Sequence, residues 1–420
     1  MFGASTYTLP ASLLALLAIL PAGSAFSLRA TKSQDLGAVL AANSNLSTYY
    51  NLVKQYPDIL LQLPSYAGVT IVAPNNDAFT KYQNWDGQNQ SMVTNILEYH
   101  ILQGTVATGA VLEGPSTFAS TLLTDTAWTN VTGGQKMIIN KQPGDLVVFT
   151  SGEGSRSTVL QADISFTGGL LQVVDTLMVP PARLEPTARD AYRDLTSFLG
   201  ALYAAGLVEE FAETPNVTIF APRNAAFQRV AGTLEGLSRD ELAQVMRYHM
   251  VPGAYLPSAS LANGTNLTTA AAGGTPLHIL RAGNNLYIDS AQMVQPDILV
   301  ANGVVHMIDN VLNPAASAAT PDPAIGTQAP VFPAASGGAS GTGTAAPVPF
   351  TTALPCTADC PVTTAANGTA ATGAAFTATG TGSVRTTASR GLGAAGPRCT
   401  GMAAAAVGVG VAGMGIAGLV

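Results

Sequence analysis

Apolar positions along the chain follow two periods, which together predict a mixture of strands and helices. Residues 70–73 form a mostly β-branched run ending at Ala-Pro, and Asn76 follows two residues after the proline. Because the residue before proline is extended and Asn caps helices, this stretch predicts a strand, a turn and a helix. A helical stripe then appears at i, i+3, i+4 and i+7, at Val93, Ile96, Leu97 and His100. Apolar residues alternate over residues 169–177, which predicts a strand buried on at least one face. The fold class expected is α+β.

The pattern occurs twice, and this repeat is the most informative feature of the chain. Three motifs recur in the same order. The first is T-I-V-A-P-N-N-D-A-F at 70–79, which returns as T-I-F-A-P-R-N-A-A-F at 218–227. The second is Tyr99-His100, which returns as Tyr248-His249, and the third is G-L-L-Q-V-V-D at 169–175, which returns as G-V-V-H-M-I-D at 303–309. The second copy adds a capping box at Ser238 and Glu241. Self-similarity in this order predicts two tandem domains, 31–182 and 186–314.

The two ends of the chain predict export and a lipid anchor. An apolar run at residues 13–20 followed by small residues has the form of a secretory signal, residues 1–25. Residues 402–420 form an apolar tail without charge, which favours a glycosylphosphatidylinositol (GPI) signal over a spanning helix. Several small residues could accept the anchor, and the pattern does not choose among Ser389, Gly391 and Gly393.

Between the repeat and the tail, hydrophobic periodicity disappears. Residues 315–401 are dominated by Ala, Thr, Gly, Ser and Pro. A stretch with so little to bury is expected to form a disordered, O-glycosylated stalk. It would hold the two domains away from the anchored end.

Composition agrees with an extracellular protein and removes several function classes. Charged residues make up 10% of the chain, the formal net charge is −7, and no basic run occurs, so nucleic acid is not expected as a partner. Of three cysteines, Cys356 and Cys360 could close a disulfide, and without a nearby His they do not form a metal site. No cofactor is expected. Seven sequons for N-glycosylation occur, at Asn45, Asn89, Asn130, Asn216, Asn263, Asn266 and Asn367.

The T-x-F/V-A-P-x-N-x-A-F box, the Tyr-His pair and the G-x-x-x-V/I-D strand resemble the motifs of fasciclin domains. The resemblance covers nearly all of residues 31–314, in tandem. It departs slightly where Gln172 follows two leucines, and where Ala225 replaces a polar residue. The resemblance implies two β-sandwich or wedge-shaped domains with packed helices, and a role in adhesion. The stalk and anchor signal resemble those of fungal members.

A Thr, a His and an Asp recur in both copies and suggest a hydrolase as one hypothesis. The two sets are Thr70, His100 and Asp175, and Thr218, His249 and Asp309. Such a relay needs nucleophile and base within hydrogen-bond reach. Both histidines lie on the apolar stripe of a helix, so we favour a structural polar role and expect no catalytic residues. His278 is interpreted as a strand residue, and His306, on the opposite strand face from Asp309, is expected to be partly exposed.

Asp-Ile pairs before the last strand of each copy are the candidate interaction residues. They are Asp163 and Ile164 in the first copy, and Asp297 and Ile298 in the second. The resemblance carries this expectation, because animal fasciclin proteins are thought to present such segments to integrins. The structural alternative is that Asp orders a turn and Ile enters the core.

The function expected is non-enzymatic adhesion at the cell surface, through proteins or polysaccharides of a cell surface, matrix or cell wall. The lipid anchor would attach the protein to the plasma membrane, from which it could be transferred to the cell wall. A structural wall glycoprotein whose glycans do the binding is the alternative. The ligand and the oligomeric state stay open.

Overall fold

The computed structural model describes residues 34–63, 66, 68–317, 319–333 and 347–355. These residues form two domains within one compact unit, which we call domain 1 (34–181) and domain 2 (182–317). The predicted signal, the cysteine pair, the sequon at Asn367, the candidate anchor residues and the apolar tail all lie outside the described residues. No helix in the described ranges combines the length and apolar character needed to cross a membrane.

Domain 1 begins with helices and ends with strands. Its helices are α1 (Leu36–Ala42), α2 (Ser47–Gln55), α3 (Asp58–Gln62), α4 (Asn76–Lys81) and α5 (Gln90–Tyr99). Its strands are β1 (Val69–Pro74), β2 (Ile101–Gln103), β3 (Thr117–Ser120), β4 (Lys136–Gln142), β5 (Leu146–Thr150), β6 (Arg156–Phe166) and β7 (Gly169–Val174). Short 3-10 turns lie at Ser44–Leu46, Thr108–Ala110 and Gly152–Gly154.

Domain 2 repeats this order. Its helices are α6 (Leu184–Pro186), α7 (Thr196–Ala205), α8 (Val208–Glu213), α9 (Asn224–Leu234) and α10 (Arg239–Arg247), with a π-helical turn at Thr187–Ala191. Its strands are β8 (Val217–Pro222), β9 (Met250–Val251), β10 (Asn266–Thr268), β11 (Pro276–Ala282), β12 (Asn285–Ile288), β13 (Ala291–Val300) and β14 (Gly303–Ile308). Further 3-10 turns lie at Arg193–Leu195, Ser258–Ser260, Ala272–Gly274 and Pro314–Ala316.

Each domain contains one seven-stranded sheet with the same strand order. The order is β2-β1-β7-β6-β5-β4-β3 in domain 1 and β9-β8-β14-β13-β12-β11-β10 in domain 2. The first and last sequence motifs pair in parallel, β1 with β7 and β8 with β14, while the other ladders are antiparallel. The two motifs that define the repeat therefore lie side by side in each sheet.

A glycine begins β7 and β14 because the neighbouring backbone approaches too closely for a side chain. A Cβ at Gly169 would lie 2.1 Å from the Val69 carbonyl oxygen. At Gly303 it would lie 1.9 Å from the Val217 carbonyl oxygen. The glycine of the G-x-x-x-V/I-D motif thus permits the parallel pairing.

Alternation along the central strands divides the apolar residues between two cores. In domain 1, Ile71 and Val173 pack with helix residues such as Ile96, whereas Val72 and Val174 pack with strand residues from β4 and β5. Domain 2 is divided in the same way. A fully buried side chain of this type stabilises the fold by about 1.5–3 kcal/mol. Since residues 26–355 contain no cysteine, this burial carries the stability of both domains.

The sequence predicted one helix cap correctly and placed another one residue too late. The capping box between Ser238 and Glu241 forms at the start of α10. At α4 the cap is Asn75, whose Oδ1 accepts from Ala78 N at 2.9 Å. Asn76 instead accepts from Thr48 N at 2.9 Å, as Asn224 does from Ser197 N at 2.8 Å. The motif Asn therefore ties the strand exit to the start of an earlier helix.

Part of the predicted stalk packs on domain 2, so the prediction that it begins at residue 315 is wrong. We call residues 319–333 and 347–355 the C-terminal strap. Phe332 and Phe350 join the helix-side core of domain 2, and the Phe350 ring lies edge-on to Phe227 with centroids 6.0 Å apart. A Cβ at Gly200 would lie 2.2 Å from the Phe350 carbonyl oxygen. Isolated aromatic residues in the low-complexity stretch supply the buried surface that composition did not indicate.

Candidate interaction segments and buried histidines

The histidines of the two Tyr-His motifs are fully buried between a helix end and the last segment of each domain. In domain 1, Met178 N donates to His100 Nε2 at 3.1 Å, so the proton lies on Nδ1, which donates to Ile96 O at 2.7 Å. In domain 2, Leu312 N donates to His249 Nε2 at 3.0 Å, and Nδ1 donates to the carbonyl four residues earlier at 2.8 Å. Both ring nitrogens of each histidine are thus committed to backbone groups.

Burial also determines the protonation state of these rings. Desolvation lowers the pKa of His100 to about 4 and that of His249 to about 4, although the backbone hydrogen bonds oppose the shift. Each imidazole is therefore neutral at ordinary pH. A ring with both nitrogens occupied has no lone pair left to accept a proton from a nucleophile.

The Thr and Asp residues of the two Thr-His-Asp sets form hydrogen bonds with backbone groups other than those of the histidines. Thr70 donates to Gly104 O at 2.9 Å and accepts from Val106 N at 2.7 Å, which holds the loop after β2. Asp175 accepts from Thr158 N at 2.8 Å and so joins β6 to the end of β7. Domain 2 repeats both arrangements with Thr218 and Asp309. These bonds fit the structural polar role predicted for the residues, and they assemble no relay.

The candidate interaction residues lie at matching irregularities of β6 and β13. Register shifts interrupt the pairing between Val159 and Ile164, and between Met293 and Ile298. Asp163 and Asp297 adopt positive φ values of 55° and 62°, a left-handed geometry that Asp tolerates better than most residues. Within each irregular stretch only Gln161 or Gln295 keeps a partner on the neighbouring strand, so the segment bulges from the same place in each sheet.

Each Asp side chain is used internally. Asp163 accepts from Thr108 N at 3.0 Å and from Thr108 Oγ1 at 2.6 Å, and Asp297 accepts from the N–H and hydroxyl of Ser258. Desolvation raises the pKa of Asp163, but hydrogen bonds from Thr108 and Gln172 outweigh it and hold the pKa below its usual range. These carboxylates order the neighbouring 3-10 turns.

One buried residue supports each bulge, and the two domains use different residues for it. In domain 1, Gln172 Oε1 accepts from Asp163 N at 2.8 Å. In domain 2, His306 Nδ1 accepts from Asp297 N at 3.1 Å and Nε2 donates to Leu256 O at 2.9 Å. The prediction that His306 is partly exposed is wrong, because its ring is fully buried and stacks on Phe220 at 5.6 Å. His278 lies in β11, as predicted, and is half-exposed.

The exposed part of each bulge precedes the Asp-Ile pair. Ile298 is only 2% exposed, and Ile164 is partly buried at the edge of the helix-side core. Leu160 is 54% exposed and Val294 41% exposed, and each is followed by two exposed residues. The side chains available for contact are thus Leu160–Ala162 and Val294–Pro296. Alternation of apolar residues could not reveal them, because the bulge breaks the alternation.

The sequons in the described residues fall into two groups. Asn45, Asn89, Asn263 and Asn266 are exposed on the surface of their own domain. Asn130 and Asn216 are half-buried and bond across the domain boundary. Among the described residues, no cluster of three or more His, Cys, Asp or Glu side chains is arranged to hold a metal ion.

The two copies of this arrangement coincide with two matches to a known family. The fasciclin domain model matches residues 44–180 and again residues 193–314. The chain belongs to the fasciclin-domain family. Each fasciclin domain here is a sandwich-like sheet with packed helices, as the sequence predicts.

Fungal proteins are among the similar sequences. The chain is 31% identical over 297 residues to the fasciclin-like arabinogalactan protein of Arthroderma benhamiae, an alignment that covers 69% of this chain and 68% of that protein. It is 28% identical over 288 residues to the fasciclin-like arabinogalactan protein elcF of Phaeosphaeria nodorum, with 67% and 89% covered. A solved FAS1 domain pair from the insect cell adhesion molecule fasciclin I matches 65% of this chain and 98% of that chain, with 17% identity and a TM-score of 0.32.

Proposed function

We propose that this chain is a non-enzymatic surface protein that binds a cell-surface or wall component through its two bulges. The observation that carries the proposal is the exposure of Leu160 and Val294 at equivalent bulges, each held by a buried polar framework. Rigidly held apolar side chains surrounded by polar ones suit an interaction site. The similarity to fungal fasciclin-like proteins supports an extracellular role.

We further propose the cellular setting that the sequence predicts. The chain would be exported by its signal, attached to the plasma membrane by a GPI anchor and partly transferred to the wall. Under this proposal the residues beyond the strap serve as the stalk. Release of the full-length protein from membranes by a GPI-specific phospholipase is the expected result, and retention after complete digestion would oppose it.

The binding proposal is tested with the secreted full chain and a pair of bulge substitutions. The variant Leu160→Asp/Val294→Asp keeps the buried framework but places charge on both bulges. We expect its binding to intact fungal cells and to isolated wall polysaccharides to fall at least about tenfold. A tenfold loss of affinity corresponds to about 1.4 kcal/mol, and burying one charge without a partner costs more than that. Leu61→Asp is the matched control, since Leu61 is 75% exposed in α3, which contributes no residue to either bulge.

A glycan-presenting wall glycoprotein is the second candidate, favoured by the four exposed sequons. The two candidates differ in what removes binding. If enzymatic removal of N- and O-glycans abolishes binding while Leu160→Asp/Val294→Asp leaves it intact, the glycan role replaces the bulge role. Binding that survives deglycosylation and fails in the bulge variant supports the proposal made here.

A further inference from the structure

The two domains meet through a loop that only domain 1 has at full length. Thr121 and Thr269 occupy equivalent positions, because their hydroxyls donate to Gln135 O at 2.9 Å and Thr275 O at 2.7 Å. Thirteen residues, 122–134, separate the first pair, and five residues, 270–274, separate the second. The longer loop of domain 1, which we call the docking loop (122–134), extends onto domain 2.

Backbone acceptors of domain 2 receive the docking loop. Thr129 Oγ1 and Asn130 N both donate to Ala301 O at 2.9 Å. The fully buried Gln135, next to the loop, donates from Nε2 to Val300 O at 3.2 Å. Phe118 of domain 1 adds an edge-on contact with Tyr255 of domain 2, with centroids 6.4 Å apart.

Asn216 closes this interface with a two-point contact. Thr132 N donates to Asn216 Oδ1 at 2.8 Å, and Asn216 Nδ2 donates to Thr132 Oγ1 at 2.8 Å. Because one residue bonds to both amide atoms, the Nδ2 hydrogen involved lies on the same side of the C–N bond as Oδ1. The other Nδ2 hydrogen takes no part in this contact.

Asn216 is also the acceptor of the sequon Asn216-Val217-Thr218. An N-linked sugar converts its side chain to a secondary amide, for which the trans form is favoured by about 2.5 kcal/mol. In that form the sugar carbon replaces the hydrogen on the same side as Oδ1. That is the hydrogen given to Thr132 Oγ1, and a distance of 2.8 Å leaves no space for a carbon atom. A glycan at Asn216 and the contact with Thr132 are therefore mutually exclusive.

The folded domain also hides the sequon from later modification. Val217 is fully buried in β8, and Thr218 is fully buried with its hydroxyl donating to Ala254 O at 2.6 Å. Sugar transfer needs an accessible Asn-x-Thr segment, so it must precede the folding of domain 2. The state of Asn216 is then fixed for the lifetime of the molecule.

We propose that N-glycosylation at Asn216 controls whether the two domains dock. Without a sugar, the Asn216 amide binds Thr132 and holds the docking loop against domain 2. A glycan at Asn216 removes this contact and keeps the domains apart. Separation would change the distance and orientation between the two bulges. The chain would thus leave the secretory pathway in two forms, a docked pair and an open pair.

Hydrogen exchange of the secreted full chain, combined with glycan mapping, tests this proposal. The amides of Asn130 and Thr132 bond to domain 2 in the docked form, so a peptide covering 129–135 reports docking. Occupancy of Asn216 is measured by mass spectrometry after enzymatic release of N-glycans in heavy-oxygen water. Asn130 in this peptide is itself a sequon and bonds to Glu213 O across the boundary, so the peptide bare at Asn130 is followed. We expect two populations of it, with a fast-exchanging fraction equal to the glycosylated fraction at Asn216.

Two controls separate docking from general effects of glycosylation. Protein from cells treated with an inhibitor of N-glycosylation should show only the protected population. Asn263→Gln, which removes an exposed sequon within domain 2, should leave the fast fraction unchanged. Protection of 129–135 in molecules that carry sugar at Asn216 would overturn the proposal. So would a bare Asn216 in every molecule while Asn45 and Asn263 are occupied.

Discussion

At the scale of single residues, the buried histidines make the stability of both domains depend on pH. The folded state keeps His100 and His249 neutral down to about pH 4, whereas the unfolded chain takes up protons near pH 6.5. Below pH 6.5 the unfolded state therefore binds more protons, and stability is lost as the pH falls. The loss ends near pH 4, where the folded state is protonated too.

We expect each of these histidines to remove about 3 kcal/mol of unfolding free energy between pH 6.5 and pH 4. The double variant His100→Gln/His249→Gln should be less stable at pH 7 but should lose less on acidification. Urea unfolding at a series of pH values measures the difference, and shared groups such as His306 cancel between the proteins. Parallel stability curves for the two proteins would contradict the assignment.

His306, which supports the bulge of domain 2, can be compared with Gln172, which supports the bulge of domain 1. Gln172 does in domain 1 what His306 does in domain 2, so we expect His306→Gln to cost less than about 1 kcal/mol. His306→Ala leaves the Asp297 N–H and the Leu256 carbonyl without partners, and should cost about 2 kcal/mol or more. Unfolding free energies of the three proteins provide the test. Equal losses in both variants would show that the ring supports the bulge only by its volume.

Sequence alone identified the recurring Thr, His and Asp residues but could not assign their bonds. Periodicity placed both histidines on the core side of a helix, which burial confirms. It gave the wrong exposure for His306 because only one face of β14 was expected to be buried, whereas cores cover both faces of the sheet and every residue of β14 is buried. Hydrogen bonds to backbone groups distant in sequence leave no local pattern to read.

At the scale of elements, the C-terminal strap shows what composition misses. Strand, turn and helix order followed from local signals, since proline geometry and capping act within a few residues. The strap carries no such signal, and its stability comes from Phe332 and Phe350 inserting into a core built by residues far earlier in the chain. Low-complexity sequence with occasional aromatic residues can therefore still be ordered.

We expect Phe350→Ala to detach the second part of the strap. Loss of this half-buried ring from its contact with Phe227 should reduce the unfolding free energy by about 1–2 kcal/mol. It should also expose residues 347–355 to limited proteolysis. Ile325→Ala is the matched control, because Ile325 lies in the strap but is 42% exposed. Identical cleavage of wild type, control and variant would argue against packing of this segment.

At the scale of the whole molecule, the two domains are similar in fold but different in what surrounds them. The repeat predicted two domains of the same architecture, and the sheets confirm it. The docking loop was not predicted, because a length difference between the copies reads as ordinary loop variation. Its role is evident only from the structure, in which the loop donates hydrogen bonds to Ala301 and Asn216 of domain 2.

Gln135 offers the most direct way to test that this docking couples the domains. Its side chain is fully buried, and its amide donates to Val300 O at 3.2 Å and Ala301 O at 3.3 Å. Gln135→Ala removes both of these hydrogen bonds, at a cost of about 1–3 kcal/mol in total, while Ala301 O keeps its bonds from Thr129 and Asn130. Because those acceptors belong to domain 2, the cost falls mainly on docking. The folding of domain 1 alone should be affected less.

The expected result is that unfolding of the two domains becomes separable. In calorimetry, wild type protein lacking N-glycans should show coupled unfolding, and Gln135→Ala should divide it into two transitions. Small-angle scattering should show a larger maximum dimension for the variant below the first transition. Thr124→Ala, an exposed change in the same loop, should behave as wild type. If Gln135→Ala lowers a single transition without any change in dimension, the side chain stabilises domain 1 and does not link the pair.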